Sequence, residues 1–210
     1  MSIPKPTTPI NISPDFAYDA VVLAGGRGTR MSGRDKGWVR WQGLPLIEQV
    51  LERLKKQTVP PTRIIISANR NTDTYSQTGH MVMTDDRPDY LGPLAGIETA
   101  LLRCKQPFLL VVPCDMPSIP LHIAEKLHSS LEASPKKNAA YTTTSTGTQP
   151  LCCLLKKSVT QTLSRSLDRG HGKVIAWLDG IEAIPVHFEE SAAFINFNDL
   201  NMLQAMDAQQ

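Results

Sequence analysis

No apolar run in this chain approaches the roughly 18–20 residues needed to cross a bilayer, so nothing reads as a transmembrane helix. An excess of one charge sign is also missing. The formal charge is only +2, too little to require nucleic acid or a membrane as partner, so any bound phosphate must be held locally. Cysteine is sparse and poorly spaced for ligation. Cys104, Cys114, Cys152 and Cys153 form no CxxC pair and the last two are adjacent, which disfavours a disulfide framework or a zinc site. They read as buried, reduced thiols of a cytoplasmic protein. No Ser-His-Asp or Cys-His arrangement is recognisable. His80, His122, His128, His171 and His187 are scattered and read as surface or structural.

What remains is an ordinary globular composition, 41% apolar and 20% charged over 210 residues, long enough to bury a substantial core in one domain. Residues 1–18, with Pro4, Pro6, Pro9 and Pro14, lack the continuous apolar stretch of a secretory signal and are expected to form a flexible tail. The domain proper is expected over 19–210. Apolar runs at Ala20–Ala24, Ile64–Ile66, Met81–Met83 and Phe108–Val112 predict strands. Helical patterns begin at Leu46 after Pro45, at Leu94 after Gly92-Pro93, and at Leu121 after Pro120. That alternation, with continuous rather than alternating apolar strands, predicts an α/β fold whose mostly parallel sheet is covered on both faces. Further on, strands are expected at Ala139–Thr143, Leu151–Leu155 and Ile184–His187, with the polar Thr144–Gln149 joining the first two. Helices are expected at Val159–Leu167, at Val174–Leu178 and after an Asn198 N-cap.

Three segments carry chemistry. Leu23-Ala24-Gly25-Gly26 ends the first strand. Its glycines can bring backbone amides close to phosphate oxygens, while Arg27, Arg30 and Lys36 downstream supply positive charge. The loop is neither a Walker A nor a GxGxxG fingerprint. Its place at a strand's carboxyl end, where open α/β sheets bind ligands, favours a ligand role over a plain turn. Asp115 emerges after the most apolar strand between Pro113 and Pro117, placed to hold Mg²⁺, which takes few protein ligands and completes its shell with water and substrate phosphates. Asp85 ends a strand at the same rim, whereas Asp86 and Asp89 read as loop solvation. Gly92 and Gly96 flank a helix start with free amides, and Ser67 and Asn69 add polar groups at that edge.

Taken in order, LAGG-RGTRM-SG-RDKG, SANR, TDD…YLGPLAG, PCDMP and INFNDL resemble the molybdenum cofactor guanylyltransferases, the MobA family, from about Val21 to the C-terminus. The resemblance implies a Rossmann-like three-layer sandwich that moves GMP from GTP to the terminal phosphate of molybdenum-molybdopterin, releasing pyrophosphate. It implies that Leu23, Ala24, Gly25 and Gly26 hold GTP through their backbone and that Lys36 meets its phosphates. Asp85 would contact the nucleoside with Ser67 and Asn69 nearby, and Gly92, Pro93 and Leu94 would lie near the base. Asp115 would bind Mg²⁺, and Asn196 and Asn198 would lie toward molybdopterin. Ser67 stands where relatives often carry Asn, and Gln149 where they often carry His. Cofactor-insertion proteins and molybdoenzyme chaperones are the expected protein partners. Nearby alternatives are a molybdopterin cytidylyltransferase, whose relatives tend to show LAAG, and a sugar-phosphate nucleotidyltransferase. A non-catalytic molybdopterin carrier is disfavoured by Lys36, Asp85 and Asp115 occurring together.

Overall fold

The structure, a computed structural model, describes residues 16–24, 35–87 and 92–197. The tail through residue 15, the glycine loop with Gly25, Gly26, Arg27, Gly28 and Arg30, Asp89, and Asn198 with the helix expected after it lie outside the described residues. Among the described residues no helix is long and apolar enough to cross a membrane.

The chain opens with strand β1 (Tyr18–Leu23), nearly all of it buried, as expected of a strand covered on both faces. A short hairpin, β2 (Arg40–Trp41) and β3 (Leu44–Pro45), leads into helix α1 (Leu46–Lys55). Leu46, Ile47, Val50, Leu51 and Leu54 make the buried stripe of α1. Glu48 in its first turn and Arg53 and Lys55 in its last complement the helix dipole. Then follow β4 (Arg63–Ser67), α2 (Thr72–Ser76), β5 (Met81–Met83), α3 (Pro93–Arg103) and β6 (Phe108–Pro113). The second half runs α4 (Ile123–Glu132), β7 (Ala139–Thr144), β8 (Gly147–Lys156), α5 (Thr160–Asp168), α6 (Val174–Gly180) and β9 (Ile184–His187).

The main sheet has the order β5-β4-β1-β6-β8-β7-β9. Only β8 runs against its neighbours; β5, β4, β1 and β6 are mutually parallel, and β7 pairs in parallel with β9. One core layer gathers α1 and α4 beneath Ala20, Val22, Leu110 and Val112. The opposite layer gathers α3, α5 and α6 over Val21, Ile65, Leu109 and Val111. The expected three-layer α/β sandwich with a mostly parallel sheet is therefore the observed fold. From β1 the chain winds outward to β4 and β5 with α1 on one face, then returns across the other face through α3 to β6. The winding direction thus reverses between β1 and β6, the place where open α/β sheets form a crevice.

Two expectations need correction, and one element was not foreseen. The tail does not extend to residue 18. Phe16 and Tyr18 are buried core, with the Phe16 ring stacked on His128 at 3.9 Å and on Tyr18 at 5.0 Å, and edge-on to Phe108 at 5.7 Å. The prolines end at Pro14, and the first aromatic after them already closes the base of the sheet. The polar Thr144–Gln149 stretch is a tight hairpin rather than a connecting loop, because β8 begins at Gly147. Its pairing to β7 jumps from Tyr141↔Cys153 to Thr142↔Gln149, a bulge that accommodates Pro150, which has no N–H for the ladder. The polar segment after Asn69 also forms α2, too short and too polar to show a periodic signal.

Phe16→Ala is expected to cost about 3 kcal/mol, the lower end for an aromatic truncated in a core. For a chain of this size that lowers Tm by roughly 6–12 °C, measured by calorimetry. A Tm within about 2 °C of wild type would return Phe16 to the tail.

Candidate active site

Strand register brings the chemistry together. Leu23 pairs with Ser67 on one side and with Pro113 on the other, and Ser67 pairs with Met83. The carboxyl ends of β5, β4, β1 and β6 therefore stop in one row. The ladder continues one residue further, through Ala24 N to Ser67 O (2.8 Å), Ala68 N to Met83 O (2.9 Å) and Cys114 N to Leu23 O (3.1 Å). Ala24, Asn69, Asp85 and Asp115 are delivered to one rim within a residue or two of that row.

Asp115 and Lys36 meet at the β1/β6 switch. Lys36 Nζ lies 3.2 Å from Asp115 Oδ2. The carboxylate is 12% exposed and the ammonium side chain 31%, open enough for a ligand to enter between them and enclosed enough for its charges to be felt. Lys36 stands in a short helical turn, Lys36–Trp38, capped by the Asp35 carboxylate, which accepts from Gly37 N at 3.2 Å. Asp35 also accepts from Tyr75 Oη (2.5 Å) and Asn71 Nδ2 (2.9 Å). Burial above all, with the hydrogen bond to Asp35, pushes the Tyr75 phenol far above its ordinary value, so it remains a donor.

Asp85 is held differently. Asn69 Nδ2 donates to its Oδ2 at 2.7 Å, while Asp85 N donates back to Asn69 Oδ1 at 2.8 Å. Ser67 also bonds the carboxylate, but burial outweighs both contacts and raises the Asp85 carboxyl above its ordinary value. Gly96 of α3 is required here, because a Cβ on it would stand 2.5 Å from Ser67 Oγ and 3.2 Å from Asp85 Oδ1. At the start of the same helix Gly92 has φ +83°, a left-handed value that suits glycine, with Pro93 in the first turn. The Leu94 side chain is fully buried in the core, so what it can offer a ligand is its backbone amide. Ser67 and Asn69 likewise direct their polar groups at Asp85.

Beyond Asp115 the rim is completed by the C-terminal segment. Phe197 N donates to Asp115 O at 3.0 Å, which sets half-buried Asn196 beside the Asp115 turn. Phe197 is anchored by Trp41 of the small hairpin, ring centroids 4.7 Å apart. On the α3, α5 and α6 face a groove of about 700 Å³ is lined by Arg165, Arg169, His171 and Lys173 with Trp177 among them. It opens next to Gly92, where a Cβ would come 3.9 Å from Gly172 O.

The sequence reading missed the Asp35 network, because Asn71 and Tyr75 sit in a segment with no motif of its own. It also missed Arg87, which ties the loop after β5 to α3 and α5 by holding Glu98 (2.5 and 2.8 Å) and Asp168 (2.8 Å). The basic groove was invisible as well, since it exists only where α5 and α6 meet. Asp86, expected merely to be solvated, makes a two-pronged pair with Arg103 at 2.6 and 2.8 Å. The four cysteines are free and buried, and burial pushes every one of these thiols up, which leaves them unreactive.

The sequence pattern of the MobA-like NTP transferase domain matches residues 20–182. A molybdenum cofactor guanylyltransferase of Bordetella petrii is 39% identical over 189 residues, covering 89% of this chain and 95% of that protein. Another, of Mannheimia succiniciproducens, is 41% identical over 186 residues, covering 88% and 96%. Among solved structures, molybdopterin-guanine dinucleotide biosynthesis protein A of Archaeoglobus fulgidus superposes with a TM-score of 0.70 at 21% identity, over 91% of this chain and all of that one. A CMP:2-keto-3-deoxy-manno-octonic acid synthetase complexed with CTP gives a TM-score of 0.65 at 12% identity, over 91% and 97%. These last two establish likeness of fold.

The raised Asp85 carboxyl makes a signed prediction. The folded protein takes up this proton before the unfolded chain does as pH falls. Stability from Asp85 therefore grows as pH drops through its raised value toward the ordinary 3.8 and is least at neutral pH. Asp85→Asn is expected to raise Tm at pH 7 and to flatten its change with pH in the window just above 3.8. Thermal melts across pH check this, and a lower Tm at pH 7 would show the carboxylate to be net stabilising.

Proposed function

Since the chain belongs to the MobA-like NTP transferase family, we propose that it transfers GMP from GTP to the terminal phosphate of molybdenum-molybdopterin. The observation that carries this reading is the Lys36–Asp115 pair at the β1/β6 switch, 3.2 Å apart, with the nucleotide-side groups of Asp85 and Gly92 on one flank and Asn196 on the other. In the reaction an oxygen of the acceptor's terminal phosphate forms a bond to the α-phosphorus of GTP. The bond from that phosphorus to the bridging oxygen breaks, and the electron pair leaves with pyrophosphate. The nucleophile is already anionic near neutral pH, so no strong general base is needed.

The protein's work is positioning and charge. The backbone of Leu23, Ala24, Gly25 and Gly26 would cradle the phosphates, and Lys36 would neutralise charge that grows on them. Asp85, steadied by Ser67 and Asn69, would take the nucleoside. Gly92, Pro93 and the amide of Leu94 would border the base, and Asn196 and Asn198 would face molybdopterin. The cations of the groove beside Gly92 add positive potential near the nucleotide in a chain whose net charge is small.

This chemistry uses a divalent cation, which we take to be Mg²⁺ held by Asp115. No group of three or more metal-ligating side chains occurs among the described residues. One carboxylate nevertheless suits an ion that arrives with its nucleotide and keeps water and phosphate as its other ligands. When bound, Mg²⁺ supplies Lewis-acid stabilisation of the phosphate charge. The expected setting is the cytoplasm, with delivery of the product through cofactor-insertion proteins or molybdoenzyme chaperones.

With Mg²⁺ and GTP at about 100 times Kd, the protein should gain roughly 2.7 kcal/mol, a Tm rise of about 5–11 °C, with little response to CTP. A preference for CTP would move the reading to the cytidylyl branch. Lys36→Ala is expected to cut kcat/KM for dinucleotide formation by about 10²–10³-fold, the size of losing one charge-stabilising donor. Asp115→Ala should abolish metal-dependent turnover with the fold retained. Wild-type turnover in either variant removes that residue from the mechanism.

A further inference from the structure

We propose that Tyr75 and Asn71 are positioning residues for the nucleotide phosphates, acting through Asp35 on Lys36. The assignment rests on Lys36 being the phosphate ligand of the function proposed above. Asp35 immediately precedes Lys36, and its carboxylate is the knot of the 35–37 turn. Oδ1 accepts from Gly37 N and from the Tyr75 hydroxyl, and Oδ2 accepts from Asn71 Nδ2. The two side-chain donors come from a single short element. Tyr75 lies within α2, and Asn71 is its N-cap in the left-handed conformation, φ 53° and ψ 30°, which asparagine tolerates better than most residues. Tyr75 itself cannot drift. It is fully buried and packs against Trp38, ring centroids 5.3 Å apart, and a Cβ on Gly37 would overlap its hydroxyl.

The consequence is electrostatic. Both side-chain donors are neutral and hold the Asp35 carboxylate in the turn, from which the Lys36 ammonium reaches across to Asp115. With either donor missing, an under-bonded carboxylate one residue away competes for that ammonium. It also places uncompensated negative charge near incoming phosphate. The sequence Asp-Lys-Gly then has a physical reading: a carboxylate to be tied down, a cation to be aimed, and a residue without Cβ to admit the ring that does the tying.

A thermodynamic cycle in the full-length protein tests this. The dissociation constant of Mg²⁺–GTP is measured by calorimetry and by ligand-dependent Tm, titrated to millimolar GTP. The proteins are wild type, Tyr75→Phe, Asn71→Gly, Lys36→Ala, and each α2 variant combined with Lys36→Ala. Asn71→Gly keeps the positive φ at an exposed position and removes only the amide, so the test survives if Tyr75→Phe folds poorly. Each α2 variant is expected to weaken binding about tenfold, the size of one lost hydrogen bond to a charged group. On the Lys36→Ala background the further loss should shrink to less than about twofold. The same loss in both backgrounds, or a lowered Tm with wild-type affinity, would make the pair merely structural and overturn the assignment. A wild-type protein that binds no Mg²⁺–GTP would overturn the nucleotide reading itself, and this assignment with it.

Discussion

Everything at this rim hangs on the register that places Leu23 between Ser67 and Pro113. Parallel strands cannot be joined by tight turns, so each of their carboxyl ends leads into a loop that must cross toward a helix. When the ends stop in one row, the first free residues of those loops are side by side regardless of their separation in sequence. Asp115 is 79 positions from Lys36, yet the two meet because β1 and β6 are neighbours. A one-residue slip of β6 would turn the Asp115 side chain to the other face. The close packing of the buried residues on both sides of β1 and β6 opposes such a slip.

Around that row the charged groups are handled in three distinct ways. Asp115 faces a cation across an opening. Asp85 is gripped by neutral amide and hydroxyl groups and carries a penalty of burial that raises its carboxyl. Asp35 accepts from the backbone of its own turn and from Asn71 and Tyr75. Farther out, Arg87 with Glu98 and Asp168, and Arg63 with buried Asp19 at 2.7 Å, fasten helices and strand ends to one another. Among the described residues, Asp85 and Asp35 accept from neutral donors and Asp115 faces Lys36, while Arg63 and Arg87 serve as scaffold.

Much of this was legible in the sequence where a single segment carries its own signal. The apolar runs of β1, β4 and β6 announced buried parallel strands, and the residues at their ends announced the rim. Gly92-Pro93 marked the start of α3. What escaped has a common cause, for it depends on partners distant in sequence. Tyr75 looks like any aromatic in a polar stretch until Gly37 and Asp35 are seen beside it. Asn69 shows no sign in the sequence of its two-way pairing with Asp85, 16 residues away. Phe16 looked like part of the tail because prolines, rather than the space between β1, β6 and α4, set the boundary.

The antiparallel strand β8 has an implication for how such proteins diversify. One half of the rim is built from parallel strands whose ends are locked to one another by register. The other half is bordered by a hairpin, β7 to β8, joined by a tight turn and loosened by a bulge at Tyr141/Thr142. Changes of length or composition in that hairpin leave the β1 and β6 row intact. That edge of the rim can therefore vary in length and chemistry while the row of parallel strand ends beside it keeps its shape.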